Sequence, residues 1–403
     1  MVLTAFISSM GFGLAAPVMP KLVMTITGED IAQASIWGGI GVFVYAIMQF
    51  IFSPIVGALS DRYGRRPILL LSLAAFAIDL LVLALVESLW GFLVIRAVSG
   101  IFAATFSTTN AYVADVTPPE KRGQRFAIIG AAFGAGFVFG PAIGGLLSEI
   151  GLRVPFFAGA ALAALNTVFG YFVVSESLPM ARRRDFSWAR ANALGTLWRL
   201  FDTPAVGVLL PVFFFATLSS WVYPTVWSYV AIEKFAWTET EIGYSIAYYG
   251  IIAFVSQALV IQLLLPKLGI VKAIWIALLV EVVALACIGL ASATWMVYAF
   301  ITLALISTMQ DPAIRQELSA NTPEDAQGEL QGGLAALTSI AMILSPLLYM
   351  GLFYVGADES GSFYLPGLPF ICASGLSLLT LVLYVRAHRK TTAVRVETAP
   401  PPR

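Results

Sequence analysis

The chain has 403 residues, of which 59% are hydrophobic and 11% charged, with a mean hydropathy of +0.87. A soluble domain of this length needs a wettable surface, with roughly a quarter of its residues charged, so the apolar surplus here has to face lipid. Lys plus Arg and Asp plus Glu balance at 23 each, which leaves no basic footprint for nucleic acid.

Chemistry-bearing residues are sparse. His388 is the only histidine and stands in the charged tail, while Cys287 and Cys372 lie singly in apolar runs. No disulfide is expected of two isolated membrane cysteines. A histidine metal site and histidine-based acid–base catalysis are set aside, and neither a metal nor a cofactor is anticipated. The chain opens Met1-Val2-Leu3 without a basic leader and enters an apolar run at once, which reads as a membrane span rather than a cleavable signal.

A bilayer core takes about 20 apolar residues per helix. In chain order, apolar runs place spans near 2–24, 34–56, 66–86, 89–112, 124–149 and 153–175. A second set falls near 205–229, 241–264, 270–290, 293–311, 328–354 and 364–386. The expected architecture is an all-α polytopic membrane protein of twelve transmembrane helices in two pseudo-symmetric halves, 1–175 and 205–386, with a cytoplasmic linker at 176–204 and a cytoplasmic tail at 387–403. The linker carries Glu176, Arg182, Arg183, Arg184, Asp185, Trp188, Arg190 and Trp198 and reads as a surface helix at the membrane interface. The basic, proline-ended tail reads as disordered.

Of the 23 basic residues, 19 fall on one side of this arrangement, and only Lys21, Arg153 and Lys234 on the other, with Arg96 inside a span. That bias puts both termini in the cytoplasm. The halves also repeat: Gly64, Thr117-Pro118, Gly123 and Pro141 reappear 205 residues later as Gly269, Thr322-Pro323, Gly328 and Pro346. A duplicated six-helix unit places its binding site near the midplane.

Three features carry chemistry. The string Gly57-Ala58-Leu59-Ser60-Asp61-Arg62-Tyr63-Gly64-Arg65-Arg66-Pro67 joins the second and third spans. Gly57 and Gly64 permit tight backbone geometry, and Asp61 among arginines, near a helix start, suits a charge relay that latches helix ends. Gly136-Phe137-Val138-Phe139-Gly140-Pro141-Ala142-Ile143-Gly144-Gly145 lies in the fifth span. Glycines four apart let another helix approach closely, and Pro141 bends its own; a generic packing motif is the plainer reading. Third, Asp79, Arg96 and Glu281 are ionisable groups within spans, which are costly in lipid and functional by default. Asp79 shifted by 205 falls within one turn of Glu281. A buried carboxyl resists ionisation, so its protonation can respond to a ligand. The competing reading is a structural ion pair with Arg96 or a lysine.

The Gly57–Pro67 string resembles the signature loop of the major facilitator superfamily, which stabilises one conformation of an alternating-access cycle through an acid–arginine network. Its counterpart, Leu265-Pro266-Lys267-Leu268-Gly269, lacks the acid and the arginine pair. The fifth-span string resembles the motif that marks that family's antiporters. Arg96-Ala97-Val98-Ser99-Gly100 resembles its fourth-span motif, associated with proton transfer.

Over nearly its full length the chain resembles bacterial tetracycline–proton antiporters. The likeness runs through Met10-Gly11-Phe12-Gly13-Leu14 with Pro17 and Pro20, Tyr45-Ala46-Ile47-Met48-Gln49, Asp79, Ser256-Gln257-Ala258, Glu281, Gln327-Gly328-Glu329-Leu330-Gln331-Gly332 and Ser345-Pro346-Leu347-Leu348. The resemblance implies substrate handling by Gln49, Asp79 and Gln257, and proton coupling by Asp79, Glu281 and Arg96. It implies gating by Asp61 and Arg65 within a loop that includes Gly57, Arg62, Gly64 and Arg66, and an antiporter motif of Gly136, Gly140, Pro141, Gly144 and Gly145. Two positions depart from the family: Ser8 stands where an intramembrane aspartate is usual, and Ala253 where a histidine is often found.

The function implied is a proton-coupled antiporter, active as a monomer in the bacterial inner membrane. It would export a small amphipathic drug-like molecule, tetracycline or its metal chelate among them, using the proton gradient and no cofactor. The alternative on the same fold is a proton-linked symporter or facilitator. An enzyme is not expected, since no nucleophile–base pair stands out within the spans. The aromatics Trp221, Tyr223, Trp227, Tyr229, Tyr244, Tyr248 and Tyr249 crowd the seventh and eighth spans. They read either as interfacial and packing residues or as a stacking wall for a planar ligand.

Overall fold

A computed structural model describes residues 1–103, 105–183, 200–201, 203–323, 326–358 and 363–398, and these form helices without a strand among them. The second span shows how the sequence builds them. Asp30 caps its start by accepting the Gln33 backbone N–H at 2.9 Å, and the helix then runs 33 residues to Tyr63. At about 1.5 Å per residue that exceeds a hydrocarbon core of about 30 Å, so part of the helix stands clear of the lipid. Gly57 to Tyr63, expected to include the loop, is therefore helix, because nothing in that stretch breaks one. Asp61 lies in the last turn of a helix rather than near a start, and Gly57 has open space where a Cβ would be. The turn is the single residue Gly64, at φ +108°, a conformation that side chains disfavour. Its repeat-mate Gly269 makes the corresponding junction at φ +75°.

Four expected spans are interrupted. The first divides into Val2–Ala15 and Met19–Thr27, bent by 47° where Pro17 and Pro20 withhold backbone donors. The fourth is Leu89–Ile101 followed by Thr105–Val116. The seventh is Pro204–Gly207, Leu210–Ser220 and Val222–Phe235, and the tenth is Thr294–Ile301, Ala304–Ser307 and Gln310–Ala320. Among the described residues nine helices are long and apolar enough to cross a membrane, or ten if the bent pair is one span, and Leu89–Ile101 is shorter. The chain is thus a multi-pass membrane protein. Cys287 and Cys372 are free thiols.

The chain forms two compact units, one of Met1–Asn192, Val226–Ile251 and Pro346–Pro366, the other of Ala193–Thr225, Ile252–Ser345 and Gly367–Arg403. The first is centred on Leu22, Leu80, Leu83, Phe92 and Phe156. The second is centred on Phe213, Ile274, Leu278, Leu318, Leu334 and Tyr384. The surface helix expected within the linker falls mainly on residues 184–199, outside the described residues. The last helix, Leu368–Thr398, continues through most of the tail expected to be disordered, since the first proline of the tail is Pro400.

Within the first unit, the glycines of the fifth span set how closely helices approach. A Cβ on Gly140 would sit 2.6 Å from Met10 O and 2.8 Å from Gly13 Cα, and one on Gly13 would meet Pro141 Cδ at 2.8 Å. Gly136 and Gly144 face the same Val2–Ala15 helix through Phe6, Ser9, Met10 and Leu14. On another face, a Cβ on Gly145 would meet Glu239 O at 2.6 Å and Thr240 Cα at 2.7 Å. Small residues four apart thus bring backbones together where lipid supplies no hydrophobic drive for helix association. Gly140→Ala should lower the stability of detergent-purified protein by about 1–3 kcal/mol through overpacking. Gly130→Ala, where a Cβ meets open space, should leave it unchanged or raise it, both read by thermal unfolding.

Candidate functional site

The helix Arg65–Leu85 carries Asp79 and is held at both ends by side chains from elsewhere in the first unit. Its N-cap, Gly64, has no side chain to offer. Glu176 supplies one instead: Oε1 accepts the Arg65 N–H at 2.8 Å and Oε2 the Arg66 N–H at 3.3 Å. A carboxylate there also meets the positive end of the helix dipole. At the other end Arg153 donates from Nη1 to Ala84 O and from Nη2 to Val86 O, each at 3.0 Å, answering carbonyls that helix geometry leaves open.

Between these ends Asp79 is 3% exposed and accepts from Nη2 of Arg96, itself 9% exposed. Arg96 also lies with Cζ 5.8 Å from the Tyr45 ring centroid, a contact that suits a cation in a poorly solvated place. Its Nε–H is buried without an acceptor among the described residues. One turn beyond Tyr45, Gln49 donates from Nε2 to Ala103 O at 3.2 Å, at the break in the fourth span. The structure thus joins Asp79 to Arg96, and sets Gln49 on the helix that carries Tyr45.

The junction around Gly64 is an acid–arginine network larger than its own string. Arg65 pairs with Asp61 at 2.6 Å and, through Nε, with Asp115 at 3.0 Å. Ser177 Oγ donates to Asp115 at 3.2 Å. Arg66 donates to Tyr171 O at 2.6 Å and lies over the Tyr171 ring, whereas Arg62 is exposed and lies over Tyr63. Asp115 and Glu176 are absent from the sequence reading of this network. The only signal was their placement beside a span end, Asp115 just before Thr117-Pro118 and Glu176 at the start of the linker.

In the second unit Glu281 is 5% exposed on Ile270–Leu290. The Ser307 hydroxyl and the Gln310 side-chain amide of the broken tenth span lie beside its carboxyl, placed to hydrogen-bond it, and it forms no ion pair among the described residues. Gln257 is exposed on a π-helical turn, Ser256–Val260, inserted between Glu239–Val255 and Ile261–Leu268; such single-turn insertions recur at functional sites. Ser8 accepts from Asn166 Nδ2 at 3.2 Å, a neutral contact at the position that departs from the family. Several of the aromatics pack rather than line an opening. Trp227 is buried and donates to Ser245 Oγ at 2.8 Å, Tyr229 packs on Phe353, and Tyr223 meets Phe370 edge-on.

Arg96→Gln, which leaves the Asp79 carboxyl buried without its countercharge, should cost about 3–5 kcal/mol. Adding Asp79→Asn should recover part of that loss, so the double variant should unfold in detergent at a higher temperature than Arg96→Gln alone. Additive losses would show that the pair is not coupled.

The model of the Major Facilitator Superfamily matches residues 1–346. The tetracycline resistance protein of class C from Escherichia coli is 35% identical over 388 residues, which cover 94% of this chain and 93% of that protein. The Homo sapiens hippocampus abundant transcript-like protein 1 is 29% identical over 399 residues, covering 93% and 78%. Among solved structures, the human organic anion transporter MFSD10 (TETRAN) superposes with a TM-score of 0.69 at 24% identity, covering 95% of this chain and 97% of that one. The match to the family's model over most of the chain and the identity to a full-length relative agree with the all-helical, multi-pass architecture. The chain belongs to the major facilitator superfamily, a family of membrane transporters rather than enzymes.

Proposed function

We propose that the protein exports a small amphipathic drug, with a tetracycline as leading candidate, across the bacterial inner membrane in exchange for protons, its termini in the cytoplasm. The observation that carries this reading is the setting of Glu281, a carboxyl buried in a membrane helix with a hydroxyl and an amide beside it and no countercharge among the described residues. Both partners can donate or accept, so the site can satisfy the group with or without its proton. Asp79 differs, since Arg96 gives it a fixed countercharge. Here Glu281 carries the exchanged proton, and the Asp79–Arg96 pair answers the cargo. Within the first unit, Arg96 Nε–H and the Gln49 amide offer donors to an oxygen-rich, planar ligand; within the second, the exposed Gln257 amide offers donors of the same kind. The fifth-span glycines and the acid–arginine junction of Asp61, Arg65, Asp115 and Glu176 serve as the packing seam and latch of the cycle. The relatives named for tetracycline resistance support the substrate class.

A second reading, export of a drug other than tetracycline, is favoured by one observation. Ser8 and its partner Asn166 are neutral, so a cationic or metal-chelated ligand finds no anion there.

Inverted membrane vesicles energised to an acidic interior should accumulate tetracycline, and adding tetracycline should partly collapse the pH gradient. Glu281→Gln should abolish both signals while the protein remains folded. Accumulation that persists without the gradient would overturn proton coupling, and movement in the opposite direction would favour the symporter. Drug-driven proton movement with other amphiphiles but not with tetracycline would select the second reading.

A further inference from the structure

The tenth span touches two places that the transport reading keeps apart, the buried acid and the π-helical turn that bears Gln257. The Ser307 hydroxyl and the Gln310 amide lie beside the Glu281 carboxyl, placed to hydrogen-bond it. Between them stands Thr308, in the break that separates Ala304–Ser307 from Gln310–Ala320. Thr308 Oγ1 lies 2.8 Å from Ser256 Oγ, at the first residue of the π turn, and 2.7 Å from Ala304 O. Ser256 Oγ in turn donates to Leu305 O at 2.7 Å. Ser256, Ser307 and Gln310 are all at least 96% buried, at 0%, 2% and 4% exposure, so in this apolar setting each unmade bond is costly.

A hydroxyl has one proton to give. Ser256 uses its own on Leu305, so the Thr308 proton is divided between its own helix, at Ala304 O, and the π turn, at Ser256 Oγ. Gln310 has a matching ambiguity. Its Nε2 also reaches Ser220 Oγ at 3.4 Å, while its Oε1 is buried without a donor among the described residues. An ionised Glu281 can only accept, so it pins the Ser307 hydroxyl and the Gln310 amide as donors. A protonated Glu281 acquires an O–H that can satisfy the orphaned Gln310 oxygen. The two charge states therefore demand different hydrogen-bond directions from the residues flanking Thr308. The first charged residues further along this helix, Asp311 and Arg315, pair with each other at 3.0 Å. The helix Leu368–Thr398 contributes the Ser374 hydroxyl to Val282 O beside Glu281.

We propose that Ser307, Thr308 and Ser256 are positioning residues that couple the charge state of Glu281 to the presentation of Gln257 on the π turn. The strut is stiff when Glu281 is ionised and slack when it is neutral. This rests on the exchange mechanism for its purpose, but the coupling is a property of the protein without cargo and is testable apart from transport.

Amide hydrogen exchange of the purified full chain in detergent reads it, over Ser256–Val260, at alkaline pH and corrected for intrinsic rates. Glu281→Gln should lower the protection of that turn about fivefold, the size expected for a pairwise coupling of roughly 1 kcal/mol. Thr308→Val should lower protection by itself and remove the response to Glu281→Gln. Thr308→Ser, which keeps the hydroxyl, should restore it. Equal protection in wild type and Glu281→Gln, or an undiminished response in the Thr308→Val background, overturns the inference whatever the transport assay gives. If the response is present in protein that moves no drug against protons, the coupling stands and the transport reading fails.

Discussion

A carboxyl inside the hydrocarbon region has to be answered by something, and this chain answers its two in opposite ways. Asp79 meets a guanidinium, with the Tyr45 ring beside that cation. Glu281 meets a hydroxyl and a primary amide. A buried ion pair resists the loss of either member, since the survivor is left charged in a poorly solvated place. A carboxyl among neutral, reversible partners carries no such lock. Interrupted helices stand beside both acids, the broken fourth span carrying Arg96 and the broken tenth span facing Glu281.

The packing follows from residue size and from backbone accounting. Gly136, Gly140 and Gly144 let one long helix lie against Val2–Ala15 at backbone contact, and Gly145 does the same for the start of Glu239–Val255. Within that same unit Lys21 pairs with Glu239 at 2.6 Å and Thr240 donates to Glu149 at 2.8 Å, so polar ties close the end of the seam. In the second unit, at the break at Thr308-Met309, the Met309 N–H turns to Ile306 O, and the Leu305 carbonyl this releases accepts the Ser256 hydroxyl at 2.7 Å. Helix interruptions at membrane depth persist only where such partners are at hand.

Much of this was legible from the residues. Apolar run lengths gave helices where helices are found, the 205-residue echo of Gly64 in Gly269 corresponds to two positive-φ junctions, and Asp79 and Arg96 stood out because charge is rare in lipid. What stayed hidden was long-range. Nothing near Gly64 in sequence indicates that Glu176, more than a hundred residues later, caps the helix it precedes. The string around Asp61 looked like a loop because glycines and charges usually mark one, yet its side chains also suit a helix that has left the membrane. The π turn at Ser256–Val260 has no composition signature, and the role of Thr308 depends on a neighbour about fifty residues away.

The clamping of Arg65–Leu85 has a mechanical consequence. A helix whose first two amides and whose Ala84 and Val86 carbonyls are bound by side chains from elsewhere resists fraying when its middle is disturbed. Whatever pulls on Asp79 must shift the rod as a whole. Such a rod behaves as a lever: motion started in the oily interior arrives undiminished at the acid–arginine cluster outside it.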